Sequence, residues 1–209
     1  MVQIIHHGEN IDKINDILAA AQIRFGMYGL EKTTMSEIAA DLNMSKGSVY
    51  YYFPDKEALY KAVVEKEHNQ FLNEALLNIE KIEEPTAMLN EYIRINLLYF
   101  RTLLNLSRIR LTEMVIPPQC MKEQIEEFRI KEVELIKTIL DTGVKRKVFT
   151  IENTVEMANL FLDLLKGLRK VIIGKKEIFY LENEEFEVLT KKIYMFTEVF
   201  ANGIKSKSE

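Results

Sequence analysis

The sequence has almost no cysteine, no tryptophan, few helix breakers and no excess of positive charge. Its single cysteine, Cys120 among 209 residues, excludes a disulfide framework and any zinc site of clustered thiolates, and fits a reducing compartment. Eight glycines and four prolines are too few for an all-β chain of this length, which needs turn chemistry about every 8–12 residues. No apolar run reaches the roughly 18 residues of a membrane span. The start, Met1-Val2-Gln3-Ile4-Ile5-His6-His7-Gly8, lacks the basic-then-apolar order of a secretory signal. The formal net charge of −4 gives no global hint of nucleic acid, so any such role must rest on local chemistry. There is no Ser/His/Asp grouping and no glycine-rich phosphate loop, and the histidines His6, His7 and His68 lack metal-ligand spacing. No enzyme activity, metal or cofactor is therefore expected. What remains, 47% hydrophobic and 29% charged, is the composition of a soluble, intracellular, all-α protein.

The helical blocks follow from periodicity and punctuation. Ile14, Leu18, Ala21 and Phe25 form one face of a helix over Asn10–Tyr28, closed by Gly29, which adopts positive φ without steric cost. Thr34-Met35-Ser36-Glu37 is a capping box opening a two-turn helix. Asn43-Met44-Ser45 makes a tight turn, Ser45 caps a third short helix ending at Pro54, and Asp55 caps a long one to about Lys81. Pro85-Thr86 starts another, and Pro117-Pro118 sets off a short piece bearing Arg108, Arg110 and Met114. A helix from Met121 is expected to stop at Gly143; Thr150 should cap the next, and Asn183 the last. The expected organisation is a three-helix unit over residues 10–56 and a helical bundle over residues 57–209.

The first unit has the form of a helix-turn-helix, in which one short helix crosses the DNA backbone while the other lies in the major groove. Ile38, Leu42, Met44, Val49 and Phe53 point inward and hold the pair rigid. Successive side chains on a helix are rotated by about 100°, so the run Tyr50-Tyr51-Tyr52-Phe53 cannot all be core. Lys46, Gly47, Ser48, Tyr50 and Tyr51 are left outside. Lysine supplies charge, glycine allows close backbone approach, and tyrosines can donate to phosphates and stack on sugars.

Two seams stand out later in the chain: Ala158, Phe161, Leu165, Leu168 and Ile172, and Phe186, Leu189, Ile193, Phe196 and Phe200. Steps of 3 and 4 residues make a narrow stripe suited to bundle packing. They would fit either an internal hairpin or an intermolecular four-helix bundle. Tyr92, Tyr99, Phe100, Met114, Met121, Phe128, Met157 and Phe161 are either core filling or the lining of an adaptable apolar pocket. Arg101, Arg108 and Arg110 suit a solvated face better than a ligand counter-charge.

Ile17-Leu18-Ala19-Ala20-Ala21, Phe25, Gly29, Thr33-Thr34, Ile38-Ala39, the run Ser45 to Phe53 and Lys56-Glu57-Ala58-Leu59 together resemble the N-terminal signature of the tetracycline-repressor (TetR) family. The resemblance covers about the first quarter of the chain. It implies phosphate contacts from Thr34, Tyr51 and Lys56 and groove contacts from Ser45, Lys46, Gly47, Ser48 and Tyr50. Tyr52 stands where the family often has His. The resemblance also implies a homodimer joined through the last two helices, a palindromic double-stranded DNA operator, and a small apolar or amphipathic effector held in the C-terminal domain. No membrane partner is implied. The alternative is a helical adaptor acting through protein contacts. One feature is unusual for a DNA-binding unit. Residues 1–60 carry five basic side chains (Lys13, Arg24, Lys32, Lys46, Lys56) against eight acidic ones (Glu9, Asp12, Asp16, Glu31, Glu37, Asp41, Asp55, Glu57), a net of −3.

Overall fold

Short polar caps and long apolar faces divide the chain into eight helices among the described residues, which are 2–106, 121–173 and 183–206 of a computed structural model. They are α1 (Val2–Lys32), α2 (Met35–Asp41), α3 (Lys46–Tyr52), α4 (Lys56–Ile79), α5 (Pro85–Leu106), α6 (Lys122–Lys145), α7 (Thr154–Ile173) and α8 (Asn183–Ile204). The all-α class expected from composition is what the chain adopts. Met114, Cys120, Arg108, Arg110 and Pro117-Pro118 lie outside the described residues, as does the side chain of Ile172.

Two apolar cores form. The first gathers Ile17, Leu18, Ala21 and Phe25 of α1 with Met35, Ile38 and Ala39 of α2, Val49 of α3, Phe53, and Leu59 and Val63 of α4. The second holds Phe71, Ala75 and Ile79 of α4 with the inner faces of α5, α6, α7 and α8. Helix α4 is therefore one continuous rod with its first two turns in one core and its last two in the other. By packing, the division between the units falls between Val63 and Phe71, inside α4. Helix α1 also meets α5, so the first unit is braced on the second at two places.

Several local expectations need correction. Gly29 does not end α1 in the left-handed helical conformation. At φ 77° and ψ 169° it is extended with positive φ, and the helix resumes to Lys32. Thr33 stabilises the kink, its hydroxyl donating to the Gly29 carbonyl at 2.8 Å. Gly143 does not stop α6. It stays helical and buried, and a Cβ there would lie 2.0 Å from the Phe149 ring, so glycine is required by close packing. The chain turns instead at Lys147, with φ 60°. Thr150 does not cap α7; Asn153 does, its side chain accepting from the Glu156 N–H at 3.1 Å. Thr150 belongs to a short backbone bridge, its N–H donating to Ile204 at 2.8 Å and so tying the α6–α7 loop to the end of α8.

The seam assignment also changes. Phe161, Leu165, Leu189 and Ile193 are buried within the single chain, Phe186, Phe196 and Phe200 pack partly buried against the same core, and Leu168 is half-buried. Phe161 stacks on Phe196 at 5.4 Å and meets Phe200 at 4.8 Å. The fully buried seam residues Phe161, Leu165, Leu189 and Ile193 close the chain's own core and present no surface to a second chain. The outward faces carry a different set: Val155, Leu160, Leu164 and Val171 on α7, and Val188, Met195 and Val199 on α8, all exposed.

Candidate DNA-binding surface

The helix-turn-helix is positioned by its caps. Thr34 accepts from the Glu37 N–H at 3.3 Å, while the Glu37 carboxylate accepts from the Thr34 N–H at 2.9 Å and its hydroxyl at 2.7 Å. These bonds hold the Glu37 carboxyl below the usual carboxylate range. Asn43, at φ 52°, reverses the chain, a conformation asparagine tolerates better than most residues. The Met44 N–H then donates back to the Ala39 carbonyl at 2.9 Å, closing the turn. Ser45 caps α3, accepting from the Ser48 N–H at 3.0 Å and sharing a hydroxyl–hydroxyl bond of 2.8 Å with Ser48. Asp55 caps α4 through the Ala58 N–H at 2.7 Å. A turn so fully bonded leaves α3 little freedom to rotate.

Val49 is fully buried and Phe53 nearly so, which fixes the opposite face outward. Tyr51 is 78% exposed and Tyr50 41%; Ser45, Lys46 and Gly47 are exposed and Ser48 half-buried. The Lys46 ammonium lies 5.6 Å from the centre of the Tyr50 ring, a cation–π contact that keeps both groups on one patch. Tyr52 is packed against the core, its ring edge-on to Tyr51 at 5.1 Å. Gly47 would tolerate a Cβ, whose nearest neighbour is Ser45 Oγ at 3.8 Å. Packing within the chain gives no reason for glycine there.

Two cations behave differently from sequence expectation. Arg24 makes bidentate bonds to Asp41 at 2.6 and 2.7 Å and an ion pair with Glu37 at 3.6 Å, joining α1 to α2. The hydrogen bond to Asp41 raises the Arg24 pKa and depresses that of Asp41. Arg24 is thereby committed within the fold. Lys56 donates to the Glu31 carbonyl at 3.2 Å, pinning the segment beyond the Gly29 kink. It is half-buried. Nothing in the isolated sequence distinguishes these roles, because both partners of each bond come from different helices.

In the second unit, Tyr92, Phe100, Met121 and Phe161 are buried, and Tyr99, Phe128 and Met157 pack partly buried against the same core. Of this set only Phe128 borders a small cleft between α4 and α6, with Glu65, His68, Asn69, Leu72, Gln124, Glu127 and Lys131. His68 stacks on Phe128 at 3.8 Å, and burial, assisted by Lys131, lowers its pKa to about 4. It is a packed, neutral histidine. Arg101 bonds Asn183 at 3.1 Å and lies over Phe186 at 5.1 Å, a bridge from α5 to α8. Sequence reasoning missed a buried polar group of Tyr92, Asn96, Glu132 and Arg169. It also missed the outward stripe of α7, although Leu160, Leu164 and Val171 recur at helical spacing beside the inner seam.

This geometry is that of a helix-turn-helix DNA-binding regulator. Residues 17–63 match the model for bacterial regulatory proteins of the tetR family. A solved transcriptional regulator from Cytophaga hutchinsonii is 39% identical, with a TM-score of 0.83 over 93% of this chain and 99% of that one. A tetR-family structure from Mesorhizobium loti shares the fold at 19% identity and a TM-score of 0.76, covering 94% and 98%. The HTH-type transcriptional regulator RutR of Escherichia coli is 34% identical over 112 residues, 52% of this chain. That match covers only about half of RutR, 51% of its length. The chain belongs to the TetR family of transcriptional regulators. No described helix is long and apolar enough to cross a membrane.

Proposed function

We propose that the protein is a ligand-responsive repressor of the bacterial cytoplasm, binding a palindromic operator as a homodimer and leaving it when a small apolar or amphipathic effector binds. The observation that carries the DNA reading is the outward face of α3: a capped helix of seven residues that buries only Val49 and presents Lys46, Tyr50 and Tyr51. In this reading Ser45, Lys46, Gly47, Ser48 and Tyr50 meet the groove, and Thr34, Tyr51 and Lys56 meet phosphates. Gly47, which the fold itself does not need, lets a phosphate or base edge approach the backbone. Because Arg24 is already paired, Lys46 and Lys56 carry the charge contacts, with Lys32 beside them. Lys56 must exchange its bond to the Glu31 carbonyl for a phosphate.

Two recognition helices have to sit about 34–36 Å apart to enter successive major grooves. The dimer forms through the outward residues Leu160, Leu164 and Val171 of α7 and Val188, Met195 and Val199 of α8, apolar side chains that are exposed in the single chain. An effector among α4–α8 acts on α4, the one helix shared by both cores, and so shifts the spacing of the two α3 helices. A differential affinity of about 3 kcal/mol suffices to lower occupancy by more than a hundredfold. Family membership favours this regulator over the helical adaptor. Fluorescence anisotropy on a duplex carrying the protein's own upstream region tests it. Saturable binding with two chains per site supports the reading; equal, weak affinity for that duplex and a random one overturns it.

A further inference from the structure

The second core contains a polar network that closing a helical bundle does not require. Glu132 of α6 is only 4% exposed. Its Oε1 accepts from the Tyr92 hydroxyl at 2.5 Å and from Asn96 Nδ2 at 3.3 Å. Those bonds fix the amide of Asn96 with its nitrogen toward Glu132 and its oxygen toward Arg169 of α7, whose Nη2 donates to it. The Arg169 guanidinium lies over the Phe100 ring, 4.6 Å from its centre. One face of the cation is therefore covered by an aromatic ring and one corner is held by an amide. The adjacent Nε–H is shielded from solvent and has no acceptor.

Burying an arginine N–H without an acceptor is costly, and the cost is greater because the group is charged. The local charge balance points the same way. Lys166 lies within electrostatic reach of the cations Arg129 and Arg169 and of the anions Glu132 and Asp163. Asp163 is already paired with Arg129 at 2.8 Å. Glu132 then has two cations within reach, the enclosed Arg169 and the surface Lys166. A fixed fork of donors, pre-oriented by Asn96 and bordered by Phe100 and Tyr92, matches a planar oxyanion attached to an apolar body.

We propose that the effector is a carboxylic acid of aromatic or amphipathic type, its carboxylate taken by the Arg169 guanidinium and its apolar part lying beside Phe100. This rests on the reading that the C-terminal unit holds an effector and adds the chemical class. Arg169 is the binding residue; Asn96 and Glu132 are positioning residues that set its orientation.

The test uses the full-length protein and calorimetric titration of benzoate, 2-naphthoate and decanoate, each beside its neutral alcohol and its ammonium analogue. At least one acid is expected to bind about tenfold or more tightly than its alcohol, with the ammonium analogue weakest. In Arg169→Met that preference disappears while the alcohol binds within about twofold of its wild-type affinity, because apolar contacts are kept. Arg169→Lys retains part of it, a point charge replacing a fork, and serves where the methionine variant does not fold. Acids and alcohols binding alike overturn the oxyanion assignment and leave the effector reading standing. An acid preference that survives in the folded Arg169→Met variant, or that is undiminished in Arg169→Lys, overturns the role of Arg169. Failure of every compound to bind the wild type overturns the effector reading and this assignment with it.

Discussion

The two cores use similar side chains but treat polar groups differently. In the first, the buried polar residue is Thr33, whose hydroxyl donates to carbonyls of the preceding helix at Gly29 and Arg24. Charged side chains stay at the rim, as in the Arg24–Asp41 pair. In the second, Glu132 and Asn96 are buried and bonded across three helices. The first unit is held by short-range caps, by the pairs of Arg24 with Asp41 and Glu37, and by rim bonds between α1 and α4 such as that of Lys56 to the Glu31 carbonyl. The second depends on buried contacts between residues up to 73 apart. A unit whose polar bonds lie at its rim can present a rigid face; a unit built on a buried network has something for a ligand to rearrange.

The sharpest break of that comparison concerns the last two helices. Leu165→Glu places a charge in the second core and should unfold it, with a loss above about 4 kcal/mol in denaturant titration. Its neighbour Leu164→Glu should leave the monomer folded and convert dimers to monomers in sedimentation. If Leu165→Glu stayed folded as a monomer, the inner seam would after all be the interface. Next in size is Glu132→Ala, expected to cost about 3–5 kcal/mol by stranding its two partners, Tyr92 and Asn96. Thr33→Val in the first core should cost only about 1 kcal/mol. Similar losses for the two would contradict the distinction between local and cross-helix networks. Gly143→Ala should cost about 1–3 kcal/mol, since its Cβ meets the Phe149 ring.

The smallest effect is one of pH. Asp41 is held below its ordinary pKa by its bond to Arg24, and Glu37 by its bonds to Thr34. A depressed carboxylate stabilises the fold above its unfolded value, and that contribution is lost as pH falls through the folded one. The first unit should therefore begin to loosen below about pH 4, the ordinary carboxylate value. Arg24→Met should remove the Asp41 part of that acid dependence, leave the part that Thr34 gives Glu37, and lower the melting temperature slightly at neutral pH, read by circular dichroism.

How legible each unit was in the sequence follows the same division. The Thr34–Glu37 box, the Ser45 and Asp55 caps and the inward Val49 are within four residues of their partners or follow helical periodicity, so one sequence suffices to place them. Gly143 was misread because a glycine kept for a close aromatic neighbour looks the same in sequence as a glycine that ends a helix. Leu165 and Leu164 are both apolar at helical spacing, and only the fold of the other helices decides which faces inward. Arg169 looks like a solvated helix lysine or arginine until Asn96, 73 residues earlier, is brought beside it.

The central claim, that the outward face of α3 reads DNA, is tested most directly by an anisotropy titration of the upstream duplex at several salt concentrations. The wild type should show a slope of log affinity against log salt near −4, from Lys46 and Lys56 in each of two chains at about −0.9 per phosphate. Lys56→Ala should flatten that slope by about 2 and weaken all sequences alike. Tyr50→Ala and Lys46→Ala should instead erase preference for the operator over random duplex at an unchanged melting temperature. Full operator preference in both of those folded variants would contradict the account.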